Sequence, residues 1–159
     1  ELLTLQQTGK AEPTPIVLLD EPGGQFWRGL QRFVDDHLLP SGVISPGDFD
    51  RVLITDSVDE ASAAISGFWR NYHSLRWVGD RLILRLRAEP TEAEVDELNH
   101  RFADLVLEGV IEKTAPLRVE IADDDVVDLP RLMLTLNQFK VGKLFRLIDA
   151  INALNSAPR

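Results

Sequence analysis

The stretch that decides the fold of the first half is residues 15–39, which read PIVLLDEPGGQFWRGLQRFVDDHLL. Ile16–Leu19 is a continuous apolar run, and such a run is typical of a strand in a parallel sheet that is covered on both faces. From Phe26 to Leu38 apolar residues recur with helical spacing. A strand, a glycine-containing turn and an amphipathic helix make the first half of a βαβ unit. A second apolar run, Val52–Thr55, is placed to supply the other parallel strand.

The elements around this unit are too few to complete a doubly wound sheet. Residues 1–9 have the character of a short helix that Gly9 closes. Ser57 and Glu60 predict a capping box, and the helix that follows should turn five apolar residues inward: Ala61, Ala64, Ile65, Phe68 and Trp69. A lone parallel pair would leave edges and one face uncovered. We therefore expect further strands upstream, with the chain starting inside an element. The alternative is a short N-terminal helix whose initiator Met has been removed.

The pattern changes beyond residues 71–79. Residues 81–87 (RLILRLR) alternate between charged and apolar types, which predicts a strand with one buried and one wet face. Thr91 and Glu94 fit a second capping box, and the helix behind it has its apolar residues on one side: Val95, Leu98, Phe102, Leu105 and Val106.

Three more elements are predicted in the C-terminal part. Residues 118–121 and 131–136 are strand candidates, and Asn137 is placed to cap a final helix. The resulting order, βαββα, is most of a ferredoxin-like unit. The fold class is therefore α/β: the C-terminal part of a Rossmann-like parallel sheet in residues 1–72, a linker at 73–79, and a small α+β ferredoxin-like accessory module at 80–159.

Bulk composition excludes several classes of function. The net charge is −9 and the sequence has no basic cluster, so nucleic acid is a poor partner. The chain has no apolar run of the ~18–20 residues that span a bilayer, and we expect no membrane association and a cytoplasmic location. With no cysteine and three histidines far apart, neither thiol chemistry nor a metal site is expected, and no cofactor is predicted.

The sequence resembles a known family. The start, ELLTLQQTGK, followed by a loop and the strand at residues 15–19, is similar to the LONELY GUY family, whose members are also labelled lysine-decarboxylase-like Rossmann proteins. Residues 71–76 (NYHSLR) and the module behind them resemble a longer branch with a C-terminal extension. The resemblance implies a Rossmann-like unit that forms a homodimer or a higher homo-oligomer. It also implies hydrolysis of the N-glycosidic bond of nucleoside 5′-monophosphates, which releases base and ribose 5-phosphate.

The chain departs from the family where catalysis is concerned. The motif Pro-Gly-Gly-x-Gly-Thr-x-x-Glu and the family's catalytic Arg and Glu are not in these 159 residues. Gly23-Gly24 is followed by Gln25, Phe26 and Trp27 and is not that motif. We therefore expect a C-terminal fragment without catalytic residues, inactive alone, whose partner is an N-terminal portion of the same protein. The alternative is a non-catalytic module that binds an effector or mediates oligomerisation.

Four residues are predicted to bind substrate: Asp20, Gly23, Gly24 and Arg76. The first three lie where α/β proteins bind ligands, between the end of a parallel strand and the start of a helix. Glycine amides there can approach an anion, whereas Asp20 and Glu21 repel phosphate. A plain turn and a ligand-lining loop therefore both stay open. Asp20 and Glu21 make a poor acid/base pair, since adjacent side chains rarely converge on one atom.

Arg76 lies in a stretch that concentrates functional side chains, YHSLRW at residues 72–77. Its guanidinium is suited to grip a phosphate or a carboxylate; the other interpretation is a hinge in which Arg76 pairs with Asp80. His73 and Ser74 alone provide neither the orienting acid nor the oxyanion site of a nucleophilic triad.

Two further groups of residues have competing interpretations. Phe26, Trp27 and Phe33 are suited to stack on a base, but the favoured interpretation is helix-core packing or a dimer face. The acidic residues 123–125 and Asp128 lack the glycine and the spacing of a calcium loop, which favours a solvated acidic loop.

Overall fold

The computed structural model describes residues 2–7, 11–44, 49, 52–137, 140 and 143–159. These residues form a two-stranded and a four-stranded sheet with helices packed around them. The strands are β1 Ile16–Leu19, β2 Val52–Thr55, β3 Tyr72–Val78, β4 Arg81–Leu86, β5 Val106–Lys113 and β6 Arg131–Leu136. The helices are α1 Leu2–Gln7, α2 Phe26–Phe33, α3 Val58–Phe68, α4 Glu92–Phe102, α5 Arg118–Ala122 and α6 Leu144–Asn152.

The first sheet is the predicted parallel pair. β1 and β2 run side by side in the same direction, with Ile16 opposite Val52 and Leu19 opposite Thr55. Helix α3 packs against both strands. Three of the four β1 residues are only half-buried and Leu19 is 43% exposed, although the continuous apolar run predicted cover on both faces. The predicted parallel pairing of β1 and β2 is confirmed. The predicted full burial of β1 is not observed among the described residues.

Helix α2 presents its apolar stripe to solvent. It continues as a π-helical turn, Val34–Leu38, in which the Leu39 amide donates to the Val34 carbonyl at 2.9 Å. Val34 is buried, whereas Phe26 is 73% and Phe33 is 50% exposed. In the part of the chain described here, these phenylalanines do not pack in a core. A dimer face and base stacking stay as predictions.

The start of α3 forms half of the predicted capping box. The Ser57 hydroxyl accepts from the Glu60 amide at 3.2 Å, but the Glu60 carboxylate accepts from the Thr55 hydroxyl instead of from the Ser57 amide. Ala61 and Phe68 are buried as predicted, while Ile65 is 45% exposed, so its predicted inward position is wrong for this structure.

The second sheet is antiparallel throughout and has the order β3-β4-β6-β5. Since β6 runs antiparallel to both of its neighbours, β4 and β5 run parallel to each other, with α4 connecting them across β6. The mixed α/β class is confirmed. The finer descriptions, Rossmann-like and ferredoxin-like, stay predictions.

Four details of the predicted element order are wrong. Residues 73–79, predicted as a linker, lie largely in β3, which pairs with β4 along most of its length. The alternating residues 118–121, predicted as a strand, begin α5, because the Glu120 carboxylate accepts from the Leu117 amide at 3.0 Å and closes a helical turn.

Strand β5 was not predicted, and the last helix begins later than expected. The apolar spacing of α4 runs on through Leu105 into Val106, which masks the strand. Gly109, at φ +78°, lies within an irregular stretch of the pairing with β6 and further disguises it. Helix α6 starts at Leu144 rather than after Asn137. Val141, predicted on its stripe, lies outside the described residues.

The main hydrophobic core lies between one face of the second sheet and α4, α6 and the end of α3. Phe68 of α3 packs against Tyr72, with ring centroids 5.6 Å apart, and against Phe145 at 6.1 Å. The last turn of α3, which the sequence placed in the first module, therefore belongs to this core. The predicted apolar side of α4 is buried there at Val95, Leu98, Phe102 and Leu105.

The opposite face of the second sheet is also covered. Ile83 is 0% and Arg85 is 4% exposed, so the prediction of one wet face on β4 is wrong. The cover is a segment, residues 117–129, that contains α5 and whose Glu120 reaches Arg85. None of the described helices is both long enough and apolar enough to cross a bilayer.

Candidate functional site at the ends of the parallel strands

The carboxyl ends of β1 and β2 bring two acidic side chains to one edge of the sheet. Asp20 follows β1 and Asp56 follows β2, and the Asp20 amide donates to the Thr55 carbonyl at 2.8 Å, which holds the two strand ends in register. Ligands of α/β proteins bind at the carboxyl ends of parallel strands. We call the residues at this end of β1 and β2 the strand-end site.

Asp20 lies at the start of α2. Its Oδ1 accepts from the Glu21 amide at 3.0 Å, and its Oδ2 accepts from the Trp27 amide at 3.4 Å. The indole Nε1 of Trp27 donates back to the Leu19 carbonyl at 3.0 Å. A helix N-terminus attracts negative charge, and here the protein's own carboxylate supplies it. An additional anion at this point would meet that carboxylate.

Gly23 and Gly24 each have a structural reason for lacking a side chain. Gly23 has φ +76°, and its amide donates to Asp56 Oδ2 at 2.8 Å. Gly24 lies against Asp20, where a Cβ would be 2.3 Å from Asp20 Oδ1. The Gly23 amide, predicted to be able to approach an anion, is thus engaged by Asp56. The predicted residues Asp20, Gly23 and Gly24 do come together at one place.

Electrostatics keep this edge negative. Hydrogen bonds lower the pKa of Asp56, first the one from the Gly23 amide and then the one from the backbone amide of Asp56 itself. Burial opposes this effect, and the positive charge of Arg28 adds to it. The Thr55 hydroxyl donates to Glu60, and the Ser57 amide donates to Thr55 Oγ1 at 3.0 Å. Carboxylates and hydroxyls accept hydrogen bonds from sugar hydroxyls and base amines. The edge therefore suits hydroxyl or amino groups of a ligand better than an anionic group.

Sequence reasoning missed Asp56, Thr55 and Glu60 as members of this edge. The signal was present, since an acidic residue follows each of the two parallel apolar runs directly. What the sequence did not show is that Asp56 would reach back to the Gly23 turn.

Arg76, the fourth predicted residue, lies in the second sheet and does not join the other three. Its Nη1 is 2.6 Å from Asp125 Oδ2, and its Nη2 pairs with Asp123. These hydrogen bonds, Asp123 first and Asp125 second, raise the pKa of Arg76 against the effect of burial. The predicted pairing with Asp80 is not formed. The acidic loop is likewise not simply solvated, because two of its carboxylates bind arginine.

His73 and Ser74 contact each other, with Nδ1 2.9 Å from Oγ. Burial, then Arg87 and Arg85, lower the pKa of His73. These neighbours are cationic, whereas a nucleophilic triad needs a carboxylate to orient the imidazole. Among the residues described, no group of three or more His, Asp or Glu side chains is arranged to hold a metal ion.

Comparison with known proteins connects the strand-end site to a family. Residues 1–65 match the family model described as "Possible lysine decarboxylase". No curated protein and no solved structure matched the chain. The matched residues include α1, the parallel pair, α2 and most of α3, and therefore all of the strand-end site. Over these residues, the chain is similar to the lysine-decarboxylase-like family.

Proposed function

We propose that this chain is the C-terminal part of a nucleoside 5′-monophosphate phosphoribohydrolase. The parent protein hydrolyses the N-glycosidic bond and releases free base and ribose 5-phosphate. The observation that carries the proposal is the family match over residues 1–65, which contains an acidic edge at the ends of two parallel strands.

The strand-end site supplies one wall of the substrate pocket. Asp20 and Asp56 retain acceptor capacity beyond the amides that they bind, because each carboxylate oxygen carries two lone pairs. They accept from ribose hydroxyls or from amino groups of the base. Because Gly23 and Gly24 have no side chains, a ligand can approach the backbone of this turn closely.

Catalytic and phosphate-binding groups come from elsewhere in the parent. The motif Pro-Gly-Gly-x-Gly-Thr-x-x-Glu is not in these 159 residues, and the edge described above is too acidic to hold phosphate. The chain alone is therefore inactive, and an N-terminal portion of the same protein is its partner. The parent works in the cytoplasm, in keeping with the cysteine-free sequence.

The exposed stripe on α2 supports a homodimer or a higher homo-oligomer. Phe26, Leu30 and Phe33 lie along one side of the helix and are 73%, 38% and 50% exposed. His37 extends the stripe, with its ring 5.3 Å from that of Phe33. An apolar helix face of this kind is typical of an interface.

The second candidate is a non-catalytic module that binds an effector or mediates oligomerisation. It is favoured by one observation, the two arginines Arg76 and Arg85 that meet on Asp125 in the second sheet. In that case the protein would bind a small anion without cleaving a nucleotide.

The test is an assay of two proteins, the 159-residue chain and the product of the complete gene, with AMP, GMP, UMP and CMP. We expect the complete protein to release base and ribose 5-phosphate and the 159-residue chain to stay at the enzyme-free background. In the complete protein, Asp56→Asn should lower kcat/KM by about 10–100-fold, the equivalent of one charged hydrogen bond of ~1.5–3 kcal/mol.

Asp59→Asn is the matched control, because Asp59 lies exposed in the first turn of α3. It should leave kcat/KM unchanged. Absence of base release from all four nucleotides by the complete protein would reject the hydrolase and favour the binding module. Activity of the 159-residue chain would reject its role as an inactive part.

A further inference from the structure

Two guanidinium groups converge on one carboxylate oxygen on the covered face of the second sheet. Arg76 of β3 and Arg85 of β4 both bind Asp125 Oδ2, the first at 2.6 Å. Ser74, directly opposite Arg85 across the strands, has its hydroxyl 3.5 Å from Arg85 Nη1. The Arg76 side chain is 24% and the Asp125 side chain is 28% exposed, so solvent reaches this point.

The covering segment does not need Asp125 to stay on the sheet. Glu120, which is 0% exposed, accepts from Arg85 Nη2 at 2.8 Å and from Arg131 Nε at 3.3 Å. Arg131 also donates to main-chain carbonyls in the loop that follows α5, at Asp125, Val126, Val127 and Leu129. These contacts anchor α5 through Glu120 and the following loop through its main-chain carbonyls, and the Asp125 side chain makes an additional contact at the rim.

The backbone beside Asp125 is strained. Asp124 has φ +51° and Val126 has φ +50°. The left-handed region is tolerated by Asp but is unfavourable for a β-branched residue such as Val. The turn that places Asp125 on the two arginines therefore carries a conformational cost, which the ion pairs of Asp125 and the hydrogen bonds from Arg131 to the turn offset together. A carboxylate held in this way is more easily displaced than one on a relaxed turn.

We propose that Arg76 and Arg85, with Ser74, form a binding site for a phosphate-type oxyanion, and that Asp125 occupies it as an internal ligand. Guanidinium groups bind phosphate and carboxylate oxygens with the same charge-assisted hydrogen bonds, and the Ser74 hydroxyl supplies a further donor. When the ligand binds, the Asp125 side chain leaves the two guanidinium groups, while Glu120 holds α5 and Arg131 holds the main chain of the loop in place. This site is separate from the strand-end site and does not depend on the hydrolase activity.

The charge of the covering segment sets the expected affinity. Residues 117–129 contain five acidic residues and one arginine, so they repel a dianion, most strongly while the Asp125 carboxylate lies on the two arginines. The wild-type chain should therefore bind weakly. Removal of the competing carboxylate should strengthen binding, beyond what a general change of charge produces.

The probe is inorganic phosphate, titrated into the 159-residue chain by calorimetry and compared with sodium chloride at matched ionic strength. Asp125→Asn should bind phosphate at least ten times more tightly than the wild type. Addition of Arg76→Gln to that variant should remove the gain. The matched control is Asp124→Asn, because it makes the same change of charge one residue away, its carboxylate contacts neither guanidinium among the residues described, and Asn tolerates φ above zero.

Equal binding by Asp125→Asn and Asp124→Asn, or no binding by either, would overturn the proposal. A second measurement on the wild type covers the case in which Asp125→Asn fails to fold. Phosphate should shift the NMR resonance of the Asp125 side-chain carboxyl and leave the resonances of α6 unchanged, whereas chloride at the same ionic strength should change neither set of resonances. An unchanged Asp125 carboxyl resonance at saturating phosphate would also overturn the proposal.

Discussion

Gly24 lies so close to Asp20 that a Cβ built on it would be 2.3 Å from Asp20 Oδ1. Asp20 in turn is fixed by the amides of Glu21 and Trp27. The carboxylate cannot give way without losing those hydrogen bonds. The conformation of the turn between β1 and α2 and the position of the Asp20 carboxylate therefore depend on each other.

Gly24→Ala should destabilise the protein by about 1–3 kcal/mol, the usual cost of forcing extra atoms into a filled space. Gly67→Ala is the control, because a Cβ there meets nothing within 4 Å and alanine should stabilise helix α3 by ~0.5–1 kcal/mol. Urea denaturation measures both. In an Asp20→Ala background the cost of Gly24→Ala should fall; an unchanged cost would show that Asp20 is not the obstacle.

Glu120→Gln should destabilise the protein by about 3–5 kcal/mol, because it leaves the buried charges of Arg85 and Arg131 without their shared partner. The two arginines are direct neighbours across β4 and β6 and are 4% and 2% exposed. Glu97→Gln, which removes an exposed pair with Arg101, should cost less than ~1 kcal/mol. Equal losses in the two variants would contradict this account of the buried charges.

Glu94 should make stability fall in acid. Burial acts to raise the pKa of Glu94, but hydrogen bonds from Thr91 and Ser156 outweigh it and lower the pKa to about 2, from 4.5. Because the unfolded chain binds this proton more readily, the contribution of Glu94 is present above pH 4.5 and is lost as the pH falls toward 2. The free-energy difference between wild type and Glu94→Gln should therefore be largest near neutrality and vanish near pH 2. A difference that does not change with pH would refute this assignment.

Asn152→Ala should cost about 2–5 kcal/mol, because it leaves two buried amides without a partner at ~1–3 kcal/mol each. Asn152 Oδ1 accepts from the Asn71 and Tyr72 amides, both at 2.8 Å, and its Nδ2 donates to the Phe68 carbonyl at 2.6 Å. Chemical denaturation should show the loss, while Asn155→Ala, at an exposed position, should show almost none. A cost below ~1 kcal/mol would mean that water replaces the amide.

Phe33→Glu should convert the proposed homo-oligomer into a monomer, because it places a charge in the middle of the apolar stripe on α2. Light scattering coupled to gel filtration measures the mass. Gln31→Glu adds the same charge to the same helix at another exposed position and should leave the oligomer intact. A wild-type chain that is monomeric at high concentration would exclude this interface.

The sequence predicted those parts of the fold that depend on local pattern. The apolar runs at 16–19 and 52–55 and the capping box at Thr91 leave direct signals, and each forms as expected. Asp20, Gly23 and Gly24 also lie together, because they belong to a single turn, whereas the contact of Gly23 with the distant Asp56 was missed.

What failed depends on distant contacts. Arg85 looked exposed because alternation shows only that two faces differ, and it cannot show that residues 117–129 fold over the second face. Arg76 was separated from its true partners by almost fifty residues, so the nearby Asp80 was the natural guess. Glu120 looked like part of a strand because residues 118–121 alternate between charged and apolar types, and its bonds to two buried arginines leave no local pattern.

The position of β6 has a consequence for biosynthesis. This strand, residues 131–136, inserts between β4 and β5, which are both made earlier. During synthesis on the ribosome, β4 and β5 therefore lack their common neighbour until β6 has left the exit tunnel. Contacts between residues so far apart in sequence also form slowly during folding, and until they form, the apolar faces of β4 and β5 are available to chaperones.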